Sequence, residues 1–327
     1  MVGTGVSTGK GVERWPGRRR LAGLSATVVV TAVVIAFLVR DFGGRDLTAA
    51  LRGARPGWVW LAFGQACACL LLGALRWQLV LRAMGYSLGL WRLFAVILAT
   101  WPPGVVVPSR ASDVLRAVAI RRAVPLAAGT GSILAEKLID LFVLLLLASA
   151  GAGSRGMWAT AVVIGLAAAA QVVVMAFVGR RRGWIAGLPL LKARPGLLER
   201  LLAASDVLAR RPQDLAVVSL VSLAIRLLTV GVGHALLVAV GAGVPLFDTM
   251  TLWPVAILVG ILPLTLGGMG TRDAAFIYLL RIVGVRAAGA TVLAATMGYS
   301  AVTLWAFAVI GLPFMVSEAG SREAGPA

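Results

Sequence analysis

Histidine occurs once in this sequence, at His234, and cysteine only twice, at Cys67 and Cys69. A single imidazole excludes the usual multi-histidine metal sites. The two cysteines stand two apart inside an apolar block. On a helix they point in different directions, which argues against a disulfide or a metal pair. Acidic residues are scarce as well, 13 against 31 Lys and Arg, giving a formal net charge of +18. In a soluble chain that excess would suggest nucleic acid. Here the basic residues fall mostly between apolar blocks, where they set topology and meet anionic headgroups, and nothing resembles a nucleic-acid module. A nucleotide loop is missing too. The string GVSTGKG at Gly5 is one residue short of a phosphate loop and has Gly11 where Ser or Thr is required. We expect no cofactor, and membrane lipids rather than nucleic acid as partners.

What the chain has instead is apolar residues, 60% of the total, with a mean hydropathy of +0.94. They are gathered at 21–39, 58–81, 130–152, 158–178, 214–240 and 288–315, each long enough to cross a hydrocarbon core of about 30 Å as a helix. Two shorter blocks, 93–107 and 251–266, carry Pro and Gly interruptions. The expected fold is all-α: a polytopic helical membrane bundle of about six full spans plus two broken or re-entrant segments. A version with eight full spans and the N-terminus outside satisfies the charge bias almost as well. The cluster Arg18-Arg19-Arg20 before the first block resists translocation and favours a cytoplasmic N-terminus in the cell membrane. The first block ends without a small-residue cleavage motif, so it reads as an anchor that stays rather than a signal peptide. Residues 1–20 read as a disordered basic cytoplasmic tail, 21–316 as one transmembrane domain and 317–327 as a short tail. Within 183–212, Leu197, Leu201, Ala204 and Leu208 share a face away from Glu199, Arg200, Arg210 and Arg211. That pattern predicts an interfacial helix lying on the membrane.

Two stretches 160 residues apart match each other. At that offset Pro103 falls on Pro263, Asp113 on Asp273, Arg121 on Arg281, and Ala127-Ala128-Gly129 on Ala287-Ala288-Gly289. In each, a short interrupted apolar segment runs straight into an Arg/Asp pair. Paired broken segments in corresponding halves point to a transport site near the bilayer midplane, here as an inverted repeat.

Ionisable groups inside apolar blocks are costly, about 2.5–3.5 kcal/mol each at a helix centre on insertion scales, so each calls for a partner or a function. Arg226 has aliphatic neighbours on both sides. It reads either as the partner of a buried carboxylate or as a contact for a lipid phosphate. Glu136 and Asp140 share a helix face beside Lys137, either as an interfacial ion cluster or as a cavity wall pairing with Arg226 or Arg116. In Gly267-Gly268-Met269-Gly270-Thr271-Arg272-Asp273 the glycines allow close backbone approach, and a helix from about Thr271 would aim its positive end at an anion. Asp273 then caps that helix or pairs with Arg272. Ser109-Arg110-Ala111-Ser112-Asp113 precedes a helix in the same way. His234 reads as a satisfied polar residue between helices rather than a proton relay, and Arg76-Trp77 as an interfacial anchor.

These residues resemble one family, the flippase-like transmembrane domain of lysylphosphatidylglycerol synthases, which also occurs as stand-alone membrane proteins. The match is carried by Arg76-Trp77, by Pro103 through Asp113 leading into Arg116, by Glu136-Lys137-Leu138-Ile139-Asp140 (similar to the family's Glu-Arg-x-x-Asp), and by Gly267 through Asp273 (similar to its Gly-Gly-x-Gly-x-Arg-Glu). Lys137 stands where Arg is common, Asp273 where Glu is usual, and Val107-Pro108-Ser109-Arg110 where relatives carry a Gly-rich turn. The resemblance implies movement of a polar-headed lipid, anionic or lipid-linked, between leaflets. Arg110, Arg226 and Arg272 would contact phosphate, with Asp113, Arg116, Glu136, Lys137, Asp140, Gly267, Gly268, Gly270 and Asp273 completing the site. It implies no catalysis, since the synthases' aminoacyl-transferase domain is not in this sequence. Two alternatives remain: a non-transporting partner of a lipid- or glycan-modifying enzyme, and a membrane-embedded transferase using Glu136 and Asp140. A homo-oligomer is compatible with each.

Overall fold

The computed structural model describes residues 18–42, 44–106, 111–180, 197–262 and 264–323. Among them every regular element is a helix. The elements are α1 (Arg18–Phe42), α2 (Gly44–Arg52), α3 (Pro56–Ala83), α4 (Leu90–Val106), α5 (Ala111–Ala119), α6 (Leu126–Ser154) and α7 (Trp158–Arg180). They continue with α8 (Leu197–Arg210), α9 (Pro212–Ala239), α10 (Leu246–Ile261), a single 3-10 turn at Leu266–Gly268, α11 (Thr271–Ile282) and α12 (Gly289–Ser300). A π turn (Ala301–Trp305) then leads into α13 (Ala306–Glu323).

The helix ends follow from local chemistry. α3 and α9 each begin with a proline, whose fixed φ suits the first helical position and whose missing N–H would be unpaired there anyway. Each ends on a left-handed glycine, Gly85 (φ 89°) and Gly241 (φ 67°). There the following N–H groups fold back onto the last turn, Tyr86 onto the Leu81 carbonyl and Ala242 onto that of Leu237. Both helices are 28 residues long, and their starts lie 156 residues apart. The succession of one long, two short and one long stretch of helix thus occurs twice.

Packing crosses between the two sets. α3 lies along α9 as the most extensive helix pair, α13 packs on α4, and α6 packs on α10. Gly151 of α6 meets the main chain of Thr251 on α10, and Gly311 of α13 meets the Leu98 carbonyl and the Pro102 ring of α4, with no room for a Cβ at either crossing. Trp77, Trp253, Phe276 and Leu237 fill the core between these helices. The outside is apolar. Val163, Leu166 and Val173 on α7 are about two-thirds exposed. Such a surface is buried by lipid, not water.

Among the described residues, four helices are long and apolar enough to cross a membrane: Pro56–Ala83, Trp158–Met175, Pro212–Ala239 and Gly289–Ser317. The sequence suggested about six. α1 and α6 have the length, at 25 and 29 residues, but α6 carries Glu136, Lys137 and Asp140 in consecutive turns. α4 and α10, at 17 and 16 residues, reach about 25 Å at 1.5 Å per residue and fall short of the hydrocarbon core.

Three local expectations are corrected. α4 runs unbroken through Pro102 and Pro103 to Val106. Each proline forfeits one main-chain hydrogen bond, to the carbonyls of Leu98 and Ala99, and the Leu98 carbonyl and the Pro102 ring pack against Gly311 of α13. α13 continues to Glu323 through most of the expected C-terminal tail, and Arg18–Arg20 open α1 rather than closing a tail. In α8, Ala204 and Leu208 are fully buried against Val80, Ala83, Ala135 and Val218, so this part of the amphipathic face is covered by protein. The rest of the expected N-terminal tail, 1–17, and residues 183–196 of the amphipathic segment lie outside the described residues, as do Arg110 and Pro263.

Candidate functional site

Four helices bring a charged network into the bundle. α3 supplies Arg76, α5 Asp113 and Arg116, α6 Glu136, Lys137 and Asp140, and α9 Ser222 and Arg226. Arg76 Nη1 donates to Asp140 Oδ1 at 2.9 Å and to Ser222 Oγ at 3.1 Å, and its Nε lies 3.5 Å from Glu136 Oε1. Arg226 donates to the same Asp140 through Nε (3.1 Å to Oδ1) and through Nη2 to Oδ2. Arg116 Nη2 donates to Glu136 Oε2 at 3.2 Å, with Asp113 Oδ1 3.7 Å from its Nη1. Lys137 Nζ stands 3.4 Å from Asp113 Oδ1. The i, i+4 spacing of Glu136 and Asp140 puts one carboxylate on each turn of α6, so one helix face holds three arginines from three other helices.

Trp77 fixes this arrangement from below. Its Nε1 donates to Ser132 Oγ at 3.0 Å, and the Arg116 guanidinium lies 4.2 Å from the centre of its ring. Arg76 and Trp77 are therefore not an interfacial anchor. Arg76 is buried at 7% exposure and Trp77 is fully buried. The residue pair sits near the end of an apolar block, where a snorkelling anchor would also sit, and only the packing of α3 on α6 turns it inward.

The second element of the site is the turn between α10 and α11. Gly270 has φ 89°, and a Cβ there would come within 2.6 Å of Val34. Gly268 (φ 77°) lies against the main chain of Gly260, where a Cβ would be 2.9 Å from its carbonyl oxygen. Only glycine fits both the backbone conformation and the space. Thr265 and Thr271 hydroxyls bond across the turn at 2.9 Å, and the Leu266 N–H donates to Thr31 Oγ1 of α1. α11 then begins at Thr271, where the sequence placed it. Asp273 does both things expected of it: Oδ2 accepts from the Gly270 N–H at 2.9 Å, and Oδ1 accepts from Arg272 Nε and Nη2 at 3.0 and 2.7 Å. Arg272 Nη2 also donates to the Thr296 carbonyl and to Ser300 Oγ, and its guanidinium lies 4.4 Å from the centre of the Tyr299 ring.

One cavity of about 900 Å³ is lined from both elements. Arg76, Arg116, Glu136 and Lys137 reach it from the network, and Gly267, Gly268 and Arg272 from the turn. Apolar walls come from Leu70, Ile97, Trp101 and Phe307, among others. Of the site residues proposed from sequence, Asp113, Asp140, Arg226, Gly270 and Asp273 stand behind this wall and hold the residues that line it. Arg110 lies outside the described residues. Glu136 lines the cavity and takes Arg116, while Asp140 behind it takes Arg226, so both partners named for the cavity-wall reading are engaged. Cys69 lines the cavity as a free thiol, and His234 Nδ1 is 3.1 Å from Thr249 Oγ1.

A further ion pair was not legible in the sequence. Arg155, just past the end of α6, pairs through Nη2 with Asp248 at the start of α10, donates from Nε to Thr251 Oγ1 at 3.2 Å, and lies over the Phe247 ring. It ties the two helices beside the Gly151 crossing. Both residues sit at block ends, where a charge carries no hydropathy signal.

Residues 24–311 match the family model described as the lysylphosphatidylglycerol synthase TM region, and no curated protein matches the chain.

Proposed function

Because the chain belongs to the lysylphosphatidylglycerol synthase transmembrane-region family, a membrane family of lipid-related function, we propose that it moves a lipid with an anionic or lipid-linked headgroup between leaflets. The acyl tails stay in the bilayer while the headgroup crosses through the cavity. The observation that carries this reading is the shared cavity wall, with Arg76, Arg116 and Lys137 from the first half and Arg272 with its glycine turn from the second. Cationic groups at that depth are costly unless they pair or serve a polar ligand, and these do the first while facing a space large enough for the second.

Alternating access between inverted halves suits the reciprocal packing. Each half's last long helix crosses the other half's short helix at a glycine, and Gly151 and Gly311 lie 160 residues apart. The polar contacts follow the same interval. Glu136 and Asp140 receive arginines in the first half, and Thr296 and Ser300, 160 residues further on, receive Arg272 in the second. The same pairing weakens the transferase alternative, because a carboxylate held by two arginines, as Asp140 is, makes a poor general base. The cluster Arg18-Arg19-Arg20 at the start of α1 supports a cytoplasmic N-terminus, and with it a cytoplasmic end of α3 and start of α6.

The test is headgroup movement in proteoliposomes carrying fluorescent phosphatidylglycerol and a membrane-impermeant quencher. Quenching should exceed the outer-leaflet fraction, and it should fall to the protein-free level with Arg272→Gln or Arg116→Gln in protein that remains monodisperse. Movement of no lipid by folded wild-type protein, with or without an ion gradient, would overturn the reading.

A further inference from the structure

The charges of the network do not cancel. Among the described residues it holds four cations, Arg76, Arg116, Lys137 and Arg226, against three carboxylates, Asp113, Glu136 and Asp140. Arg272 and Asp273 neutralise each other separately at 2.7 Å. One positive charge is left over on a wall that lines the cavity.

Geometry assigns that charge to one residue. Arg76, Arg116 and Arg226 each have a carboxylate within hydrogen-bond distance, and their side chains are 8, 10 and 18% exposed. Lys137 has only Asp113, at 3.4 Å, and Asp113 is shared with Arg116. Its side chain is 36% exposed, the highest of the four, and it lines the cavity. An ammonium is a compact donor on a flexible stem that can swing between two acceptors, whereas the arginine forks are fixed by their planar bonds.

We infer that Lys137 is the group that takes the headgroup anion, exchanging its contact with Asp113 for a phosphate oxygen, and that the site is matched to a single negative charge, as on a phosphodiester lipid. This rests on the cavity being the headgroup path. A phosphodiester monoanion would bring the network to neutrality, while a phosphomonoester dianion would leave an uncompensated negative charge and a zwitterionic headgroup would leave the positive one. Neutral networks are favoured wherever water is scarce. The exchange also removes one of the two ion pairs that tie α5 to α6, leaving Arg116–Glu136 as the other. Headgroup binding is thereby coupled to the contact between the first short hairpin and the rest of the bundle.

Binding and movement separate the two claims. Purified full-length protein in neutral detergent would be titrated with short-chain phosphatidylglycerol, phosphatidic acid and phosphatidylcholine, reading lipid occupancy by native mass spectrometry. Wild type should prefer phosphatidylglycerol. Lys137→Gln should weaken it roughly ten- to a hundredfold, the usual effect of losing one charge-assisted hydrogen bond, and Lys137→Arg should restore most of it. Asp113→Asn is the sharper arm, because it removes the competing negative charge and so adds one net positive charge. Phosphatidylglycerol should then bind more tightly, and phosphatidic acid should gain more than phosphatidylglycerol. A merely structural Lys137–Asp113 pair would weaken binding in both variants, and that result would overturn the inference, as would phosphatidylglycerol binding that ignores Lys137 or no binding by folded wild type. Binding with the expected pattern but no movement in proteoliposomes would instead count against transport and leave the assignment of Lys137 standing.

Discussion

Arg226 and Asp140 face each other across 86 residues of sequence, with Nε and Nη2 of the guanidinium on the two carboxylate oxygens. Asp140 also accepts from Arg76. One carboxylate therefore joins α3, α6 and α9, and two substitutions at this junction should differ in cost. Asp140→Ala takes the carboxylate from Arg226 and leaves Arg76 only Glu136 and Ser222, and should cost about 3–5 kcal/mol, the usual penalty for breaking a buried pair. Arg226→Met leaves Asp140 its second partner and should cost less. Unfolding midpoints in detergent check this, and equal losses would contradict it.

The two glycine crossings should be intolerant of any side chain. Gly151→Val and Gly311→Val drive a branched group into the backbone of the opposite helix, an overpacking cost of about 1–3 kcal/mol or more. Gly64 on α3 has open space around its Cβ position. Gly64→Ala should be neutral or stabilise by up to about 1 kcal/mol through helix propensity. Thermal unfolding of the three variants side by side provides the comparison.

At the second turn, Gly270→Ala meets both a left-handed backbone and Val34. Asp273→Ala removes the helix-start hydrogen bond, worth about 0.5–2 kcal/mol, and also strands Arg272. Asp273→Glu keeps the charge and should lower stability least. Hydrogen exchange of the α11 amides should rise in the order Glu, Ala at 273, and a rise confined to distant helices would refute the link.

Orientation is settled by single cysteines in a background with Cys67→Ala and Cys69→Ala. Arg286→Cys, exposed between α11 and α12, should react with an impermeant maleimide on intact cells. Arg211→Cys, exposed between α8 and α9, should react only after permeabilisation. The reverse pattern would invert the topology.

Much of the fold was legible because the signals were local. Apolar blocks give the long helices, and the glycine run before Thr271 gives a helix start with Asp273 in its first turn. The partners of Glu136 and Asp140 were also readable as a set, since a carboxylate on an apolar face needs a cation. Arg76 was not, because hydropathy cannot tell a charge near the end of a span that reaches for water from one that turns toward another helix. Ala204 and Leu208 show the same limit. A 3.6-residue period establishes that one face of α8 is apolar, but lipid and protein satisfy that face equally well. Pro102 and Pro103 misled for a different reason. Each removes one main-chain hydrogen bond within α4, and the packing of α13 over them comes from the far end of the chain, out of reach of a local reading.

The crossing of the halves also has a consequence for how the chain is made. The face of α4 that meets Gly311 is synthesised long before that glycine, and Asp140 enters the bilayer with Arg76 already in place but Arg226 still to come. At about 5–20 residues per second, the ribosome needs roughly ten to forty seconds to travel from Leu98 to Gly311. During that interval the nascent first half exposes to lipid, or to an insertion factor, the surfaces that the second half will cover.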